Sequence, residues 1–98
     1  MKETQQTINA WQEETFGPTT AYHAWVRASK EWAELSSCFS PAYTMVPDAQ
    51  KEVADVLITL YRIAHCLGVD LHAAVDAKMA INRARTWIVD ETGNGQHT

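Results

Sequence analysis

Two acidic pairs carry the clearest chemistry in the chain, Glu31-Trp-Ala-Glu34 and Glu52-Val-Ala-Asp55. On a helix, a spacing of three sets both carboxylates of a pair on one face, a turn apart. Pro41, Pro47 and a polar loop separate the pairs, so two helices that fold back on each other bring four carboxylates to one cleft. Hard oxygen ligands in that number suit Mg²⁺ or Mn²⁺ rather than zinc. Four anions in a small space raise one another's pKa unless a cation shares it. One such pair alone is ordinary surface charge. A second pair of the same spacing, also bordering an apolar stripe, makes residues 28–55 a metal site and the rest of the chain its frame.

The frame is legible from periodicity. Residues 4–15 read as a short helix, with Ile8 and Trp11 at helical spacing, Thr4 as its N-cap, and Phe16-Gly17-Pro18 as its stop. Thr19 or Thr20 caps a second helix that runs to about residue 37, with Ala21, Trp25, Ala28, Trp32 and Leu35 as its apolar stripe. Glu31 and Glu34 border that stripe. A loop over 38–46 leads to Pro47 and Asp48, a favourable helix start. The third helix, 48–67, carries Val53, Val56, Leu57, Leu60, Ile63, Ala64 and Leu67 on one face, with Glu52, Asp55 and Thr59 at its border. Gly68 stops it and Asp70 caps a fourth helix expected over 71–89, with Ala74, Ala77, Ile81, Ala84 and Ile88 as core. Lys78, Asn82 and Arg85 line up on an adjoining face. Residues 91–98 are polar and read as a disordered tail. No stretch alternates with period two for long enough to make a strand.

The bulk numbers set limits. A chain of 98 residues is one domain, expected over residues 1–90. Four Trp, three Tyr and two Phe are a heavy aromatic load for that size, which places some rings in a subunit interface or a ligand pocket. Trp11 and Phe16 are candidates for a base-stacking pocket wall, Trp32 for packing. The net charge of −4 argues against a nucleic-acid partner. No apolar run is long enough to span a membrane, and Met1-Lys-Glu-Thr-Gln-Gln is not followed by the apolar core of a signal peptide. Cys38 and Cys66, with no CxxC, read as free thiols of a cytoplasmic protein. His23, His65, His72 and His97 show no metal-ligand spacing.

The order ExxE, gap, ExxD, then Lys78-Met-Ala-Ile-Asn82 resembles the MazG-like, all-α nucleoside triphosphate pyrophosphohydrolases. Glu31, Glu34, Glu52 and Asp55 carry the resemblance, followed by Val69-Asp-Leu and Lys78 to Arg85. Ile8-Asn-Ala-Trp11-Gln with Thr15-Phe-Gly17 is similar to the subgroup described as dATP/dGTP diphosphohydrolase N-terminal domains. The compact form resembles phage enzymes of the MazZ type, which act on purine deoxynucleotides. The resemblance implies a four-helix fold assembling as a dimer or dimer of dimers. It also implies hydrolysis of a (deoxy)nucleoside triphosphate, such as dGTP or dATP, to the monophosphate and pyrophosphate in the cytoplasm, a host's if the chain is phage-encoded. It makes Glu31, Glu34, Glu52 and Asp55 ligands of two or more Mg²⁺ or Mn²⁺ ions, and Lys78 and Asn82 phosphate and sugar contacts, with Arg85 beside them. Glu34 and Glu52 are the catalytic candidates, Glu34 by position the proton acceptor. Cys66 falls where some relatives carry a phosphate-binding arginine, leaving Arg85 or Arg62 as substitutes.

Two rivals stand beside this reading. A di-iron carboxylate bundle needs Glu-x-x-His pairs, and here only Arg62-x-x-His65 ends that way. A small acidic helical interaction module with solvated acids would show no response to divalent metal.

Overall fold

The computed structural model describes residues 2–98. Helix α1 (Gln5–Phe16) starts at Thr4, whose hydroxyl accepts from the Thr7 backbone while the Thr7 hydroxyl accepts from the Thr4 backbone. It ends at Gly17, where φ is +78°, a conformation that glycine adopts without strain. Helix α2 (Ala21–Ser36) is capped by the Thr20 side chain. Helix α3 (Val46–Cys66) has Pro47 in its first turn, as the sequence requires, and begins two residues before the expected Asp48. Helix α4 (Leu71–Ala84) is capped by Asp70, whose side chain accepts from the Ala73 amide at 3.1 Å.

Helices α2 and α3 form an antiparallel hairpin and make the principal helix–helix interface, with α1 laid against α3. An apolar plug of Leu35, Cys38, Ala49 and Val56 closes the hairpin's loop end. The loop itself is tied by the Met45 amide donating to the Cys38 carbonyl at 3.0 Å. The buried face of α2 is Ala24, Ala28, Glu31 and Leu35, rotated from the expected stripe. Trp25 and Trp32 stay largely exposed. Small residues win the interface because they let α2 approach α3 closely, and this rotation carries Glu31 inward.

Two expectations at the C-terminal end are corrected. Helix α4 stops at Ala84 rather than running to residue 89, and none of its residues is buried. The expected core positions Ala74, Ala77, Ile81 and Ala84 are exposed in the single chain, and Ile88 lies outside the helix. The segment beyond is not a disordered tail. Strands β1 (Trp87–Val89) and β2 (Gly95–His97) pair antiparallel, with Trp87 opposite His97. The Trp87 indole donates to the Asn82 carbonyl at 2.8 Å, satisfying an acceptor at the end of α4. The Asp90 side chain accepts from the amides of Thr92 and Asn94 and from the Thr92 hydroxyl, which pins the turn and lowers its pKa. A polar, glycine-containing stretch resembles disorder in composition, but these local bonds give it a fixed turn.

The radius of gyration is 16.0 Å, against about 13 Å for a compact domain of this length. Helix α4 stands away from the hairpin and is tied to it mainly at its first turn. There Tyr61, only 2% exposed, shares a 2.7 Å hydrogen bond with the His72 ring and stacks on it. Gln5 adds a second tie, donating to the Val69 carbonyl at 2.7 Å and accepting from the Leu71 amide at 2.8 Å. Tyr61→Phe is expected to cost about 1 kcal/mol in a urea melt and to speed amide exchange in α4 more than in α2. Unchanged α4 exchange would show that the Tyr61–His72 bond does not tether the helix.

Candidate metal centre and cavity

One turn above the apolar plug the acids converge. Oxygens of Glu31, Glu52 and Asp55 lie within 4.8 Å of one another, as one group among the described residues. Glu31 comes from α2, and Glu52 and Asp55 from α3, so the hairpin alone builds the cluster. Glu31 is 6% exposed and is paired with Arg27, a turn earlier, at 2.8 Å. Glu34 lies outside the 4.8 Å group but beside it, close enough for its charge and hydrogen bonding to act on both Glu31 and Glu52.

The electrostatics follow from this crowding. Burial pushes the Glu31 pKa up; Arg27 opposes the shift, and repulsion from Glu34 and Asp55 adds to it. Glu52 is also raised, by desolvation first and then by Glu34, Asp55 and Glu31. A buried oxygen of Glu52, Oε2, has no hydrogen-bond partner. Three converging carboxylates, with one buried oxygen unpaired, fit a hard divalent cation better than any protein donor nearby. The charge, the ligand type and the orphaned oxygen all call for the same group.

A cavity of about 460 Å³ opens from the cluster. Glu31, Asp55 and Arg27 line one end, and Trp11, Phe16 and Pro18 line another part of its wall. Trp11 and Phe16 meet edge to face at 5.4 Å. The Arg62 guanidinium sits 5.6 Å from the Phe16 ring centre and donates to the Gly17 carbonyl at 2.5 Å, which braces the turn after α1.

The sequence-based candidates divide. Glu31, Glu52 and Asp55 are brought together, with Glu34 adjacent. Trp11 and Phe16 share the cavity wall. Lys78, Asn82 and Arg85 lie on or at the end of α4 and do not line this cavity in the single chain. Of the two arginines that compete for the place of Cys66, Arg62 reaches the wall and Arg85 does not. Sequence reasoning missed Gln12 and Arg27, which also line the cavity, as does Thr59, whose spacing sets it beside Glu52 and Asp55. A helical wheel drawn through Glu31 would have put Arg27 a turn before it, next to Ala28 on the buried stripe.

A helical hairpin built around a carboxylate cluster of the kind that holds hard divalent ions, with an aromatic-walled cavity above it, defines the class. A solved structure of the MazG-like pyrophosphohydrolase of cyanophage S-2L, bound to dGDP and three catalytic Mn²⁺ ions per active site, superimposes with a TM-score of 0.74 at 35% identity. The match covers 96% of this chain and 92% of that one. The dATP/dGTP diphosphohydrolase of Salmonella phage PMBT28 is 41% identical over 93 residues, 95% of this chain. A dATP/dGTP diphosphohydrolase of cyanophage S-2L is 52% identical over 46 residues, 47% of this chain. The matches span 30% and 44% of the lengths of these two relatives. No established family profile matches the chain. The chain belongs to the MazG-like pyrophosphohydrolases.

Without a metal ion, the folded protein holds protons on Glu31 and Glu52 above their ordinary value of 4.5. Between that value and the raised one, the folded state binds more protons than the unfolded state, so these two groups make stability fall as pH rises. Their contribution is fully present below 4.5 and lost above the raised values. The metal-free melting temperature is therefore expected to fall as pH rises above 4.5 through the titration of these two groups. Mg²⁺ is expected to reverse the loss, by about 2.7 kcal/mol at a hundredfold excess over Kd. Glu52→Gln should raise the metal-free melting temperature at pH 7 and blunt the Mg²⁺ response. A wild-type melt insensitive to Mg²⁺ and Mn²⁺ would exclude the cation site.

Proposed function

We propose that this chain hydrolyses a purine deoxynucleoside triphosphate to the monophosphate and pyrophosphate, using Mg²⁺ or Mn²⁺, in the cytoplasm where that substrate pool lies. The observation that carries the reading is the carboxylate cluster, with a buried and unpaired Glu52 oxygen, two of whose members, Glu31 and Asp55, line an aromatic-walled cavity. Membership of the family supports it, as do the dATP/dGTP activity and bound dGDP of the relatives. No described helix is long and apolar enough to cross a membrane.

Glu31, Glu52 and Asp55 hold the ions, and Glu34 stands beside them. When bound, the divalent ion neutralises phosphate charge and makes water a stronger nucleophile at neutral pH. Glu34, just outside the tight triad, takes the proton from the attacking water. Arg27 supplies a positive charge at the acid end, where the triphosphate lies. Trp11 and Phe16 stack on the base at the other part of the wall, so the nucleotide spans the cavity between rings and acids. Phosphoryl transfer asks chiefly for positioning and charge stabilisation, which a small helical scaffold provides. Lys78, Asn82 and Arg85 contact phosphate and sugar once α4 is placed against a site.

That placement is the work of a second copy. Val53, Leu57 and Leu60 are exposed on α3 at steps of four and three, a short stretch of coiled-coil spacing, and Leu67 is exposed at its C-cap. Val75, Met79 and Ile81 are exposed on α4. We infer a homodimer or dimer of dimers in which these faces cover one another, because apolar seams of that length are rarely left to water. Light scattering at micromolar concentration is expected to give the mass of two or four chains. A monomer would refute this assembly.

Kinetics test the site. Asp55→Asn is expected to lower kcat by orders of magnitude with helix content intact by circular dichroism, and Asp55→Asn protein with full activity would refute the ligand assignment. Lys78→Ala should lower kcat/KM about ten- to a hundredfold, the value of about 1.5–3 kcal/mol for one charge-assisted contact. The loss should be the same for every base, because Lys78 acts at the phosphate end. Both products, monophosphate and pyrophosphate, are to be quantified, since release of inorganic phosphate would mean a different bond is cut.

A further inference from the structure

The two-stranded sheet after α4 is exposed along both strands. A hairpin of this kind is marginally stable in water and gains from a further strand. Its two edges differ in character. Strand β2 is Gly95-Gln96-His97, with a glycine and no apolar side chain. Strand β1 is Trp87-Ile88-Val89, three residues that favour strands, with Ile88 63% and Val89 66% exposed. Exposed edges are commonly blunted by a charge, a proline or a bulge. Strand β1 has none of these, and its register with β2 is unbroken.

Hydrogen bonding defines what the β1 edge presents. The Thr98 amide donates to the Thr86 carbonyl at 3.0 Å, and the Asp90 amide to the Asn94 carbonyl at 2.8 Å. Bonded and non-bonded pairs alternate along an antiparallel ladder. Thr86, Ile88 and Asp90 therefore turn their backbone groups toward β2, while Trp87 and Val89 turn theirs to the open edge. No other element among the described residues bonds to those groups. The edge offers an N–H and a C=O on each side of Ile88.

Resting on the homo-oligomer inferred above, we propose that this edge pairs with the same edge of a second copy, antiparallel about a two-fold axis at Ile88. Trp87 then lies opposite Val89 of the partner subunit and exchanges both backbone bonds with it. The two-fold repeats the exchange, so every outward group of both strands is satisfied. A shift of one residue would set outward groups against inward ones, and a shift of two would carry a pair past the strand end. An aromatic ring opposite a β-branched side chain is a favourable cross-strand pair. Charge agrees as well, since Arg85 falls opposite Glu91 of the partner subunit and no like charges meet. That exposed rim pair adds little, so the register does not depend on Arg85. The result is one four-stranded sheet across two chains, a self-complementary contact that closes on itself. Three residues a side cannot hold two chains alone. Strand β1 begins three residues after the end of α4, so the contact that gathers the α4 faces also brings the two edges together.

The test places a cysteine on the axis. The Cα atoms of an opposed pair without mutual hydrogen bonds lie about 4.5 Å apart, within disulfide reach. Ile88→Cys, made together with Cys66→Ser to remove the half-buried native thiol, is expected to run mostly as covalent dimer on a denaturing gel after mild oxidation with copper phenanthroline. Val89→Cys in the same background is the control. Its two copies are offset by about 7 Å along the strands, beyond disulfide reach, and it should run as single chains. In the unaltered protein the Trp87 and Val89 amides should exchange about tenfold more slowly than those of Gly95 and His97, after correction for intrinsic rates. An oligomer by light scattering in which these amides exchange equally fast, or in which Ile88→Cys cross-links no better than Val89→Cys, would overturn the pairing and leave the assembly standing. A wild-type monomer would overturn the assembly reading and the pairing with it.

Discussion

Like charges held in a partly buried helical hairpin are the constraint on which the rest of this structure depends. Glu31, Glu52 and Asp55 are pressed within 4.8 Å of one another, and burial together with mutual repulsion raises the pKa of Glu31 and Glu52. Nothing in the single chain relieves this fully. Arg27 offsets part of it for Glu31, but its side chain is largely exposed, where water screens the pair. The cost is tolerated because the loop end below the acids is closed by Leu35, Cys38, Ala49 and Val56, which hold α2 and α3 together whether or not a cation is bound. The hairpin is thus a preformed but electrostatically unfinished site.

The upper part of the molecule shows the same economy. Helix α1 adds little apolar burial, and the residues it buries are Asn9 and Gln12. A helix whose inward side chains are amides contributes less to stability than one with leucines there. In exchange it lines a cavity with hydrogen-bonding groups of defined direction, as the Gln12–Ile58 bond shows. Arg62, spent on the Phe16 ring and the Gly17 carbonyl, keeps the turn after α1 in place. The aromatic wall is therefore held by a contact from α3, the same helix that carries two of the acids. Ring wall and acid cluster are positioned by one rigid element.

Helix α4 and the hairpin after it are the least integrated part of the single chain. The Tyr61–His72 and Gln5–Leu71 bonds fix where α4 begins, while its body buries nothing. Val75, Met79 and Ile81 stay exposed along it, and Val53, Leu57 and Leu60 stay exposed along α3.

The acidic cluster was partly legible in the amino-acid sequence because it depends on spacing within two helices and one turn between them. Glu-x-x-Glu and Glu-x-x-Asp on helices joined by a turn can converge when the helices fold back on each other, and the prolines and polar loop announce that hairpin. Helix caps at Thr4, Thr20 and Asp70 were readable for the same local reason. Trp11 and Phe16 could be named as wall residues from composition and position. What only the tertiary structure decided is rotation and long-range contact. The α2 face turned so that Ala24, Ala28 and Glu31 point inward and Trp25 and Trp32 do not, a choice set by how closely two backbones can approach. Asn9 and Gln12 look like surface amides in the sequence, and became buried acceptors because α3 covers them. The strand pairing of residues 87–89 with 95–97 depends on side-chain bonds around Asp90 that no hydrophobic period encodes. The stand-off of α4 could not be read from its own pattern, since an amphipathic period specifies an apolar face but not what packs against it.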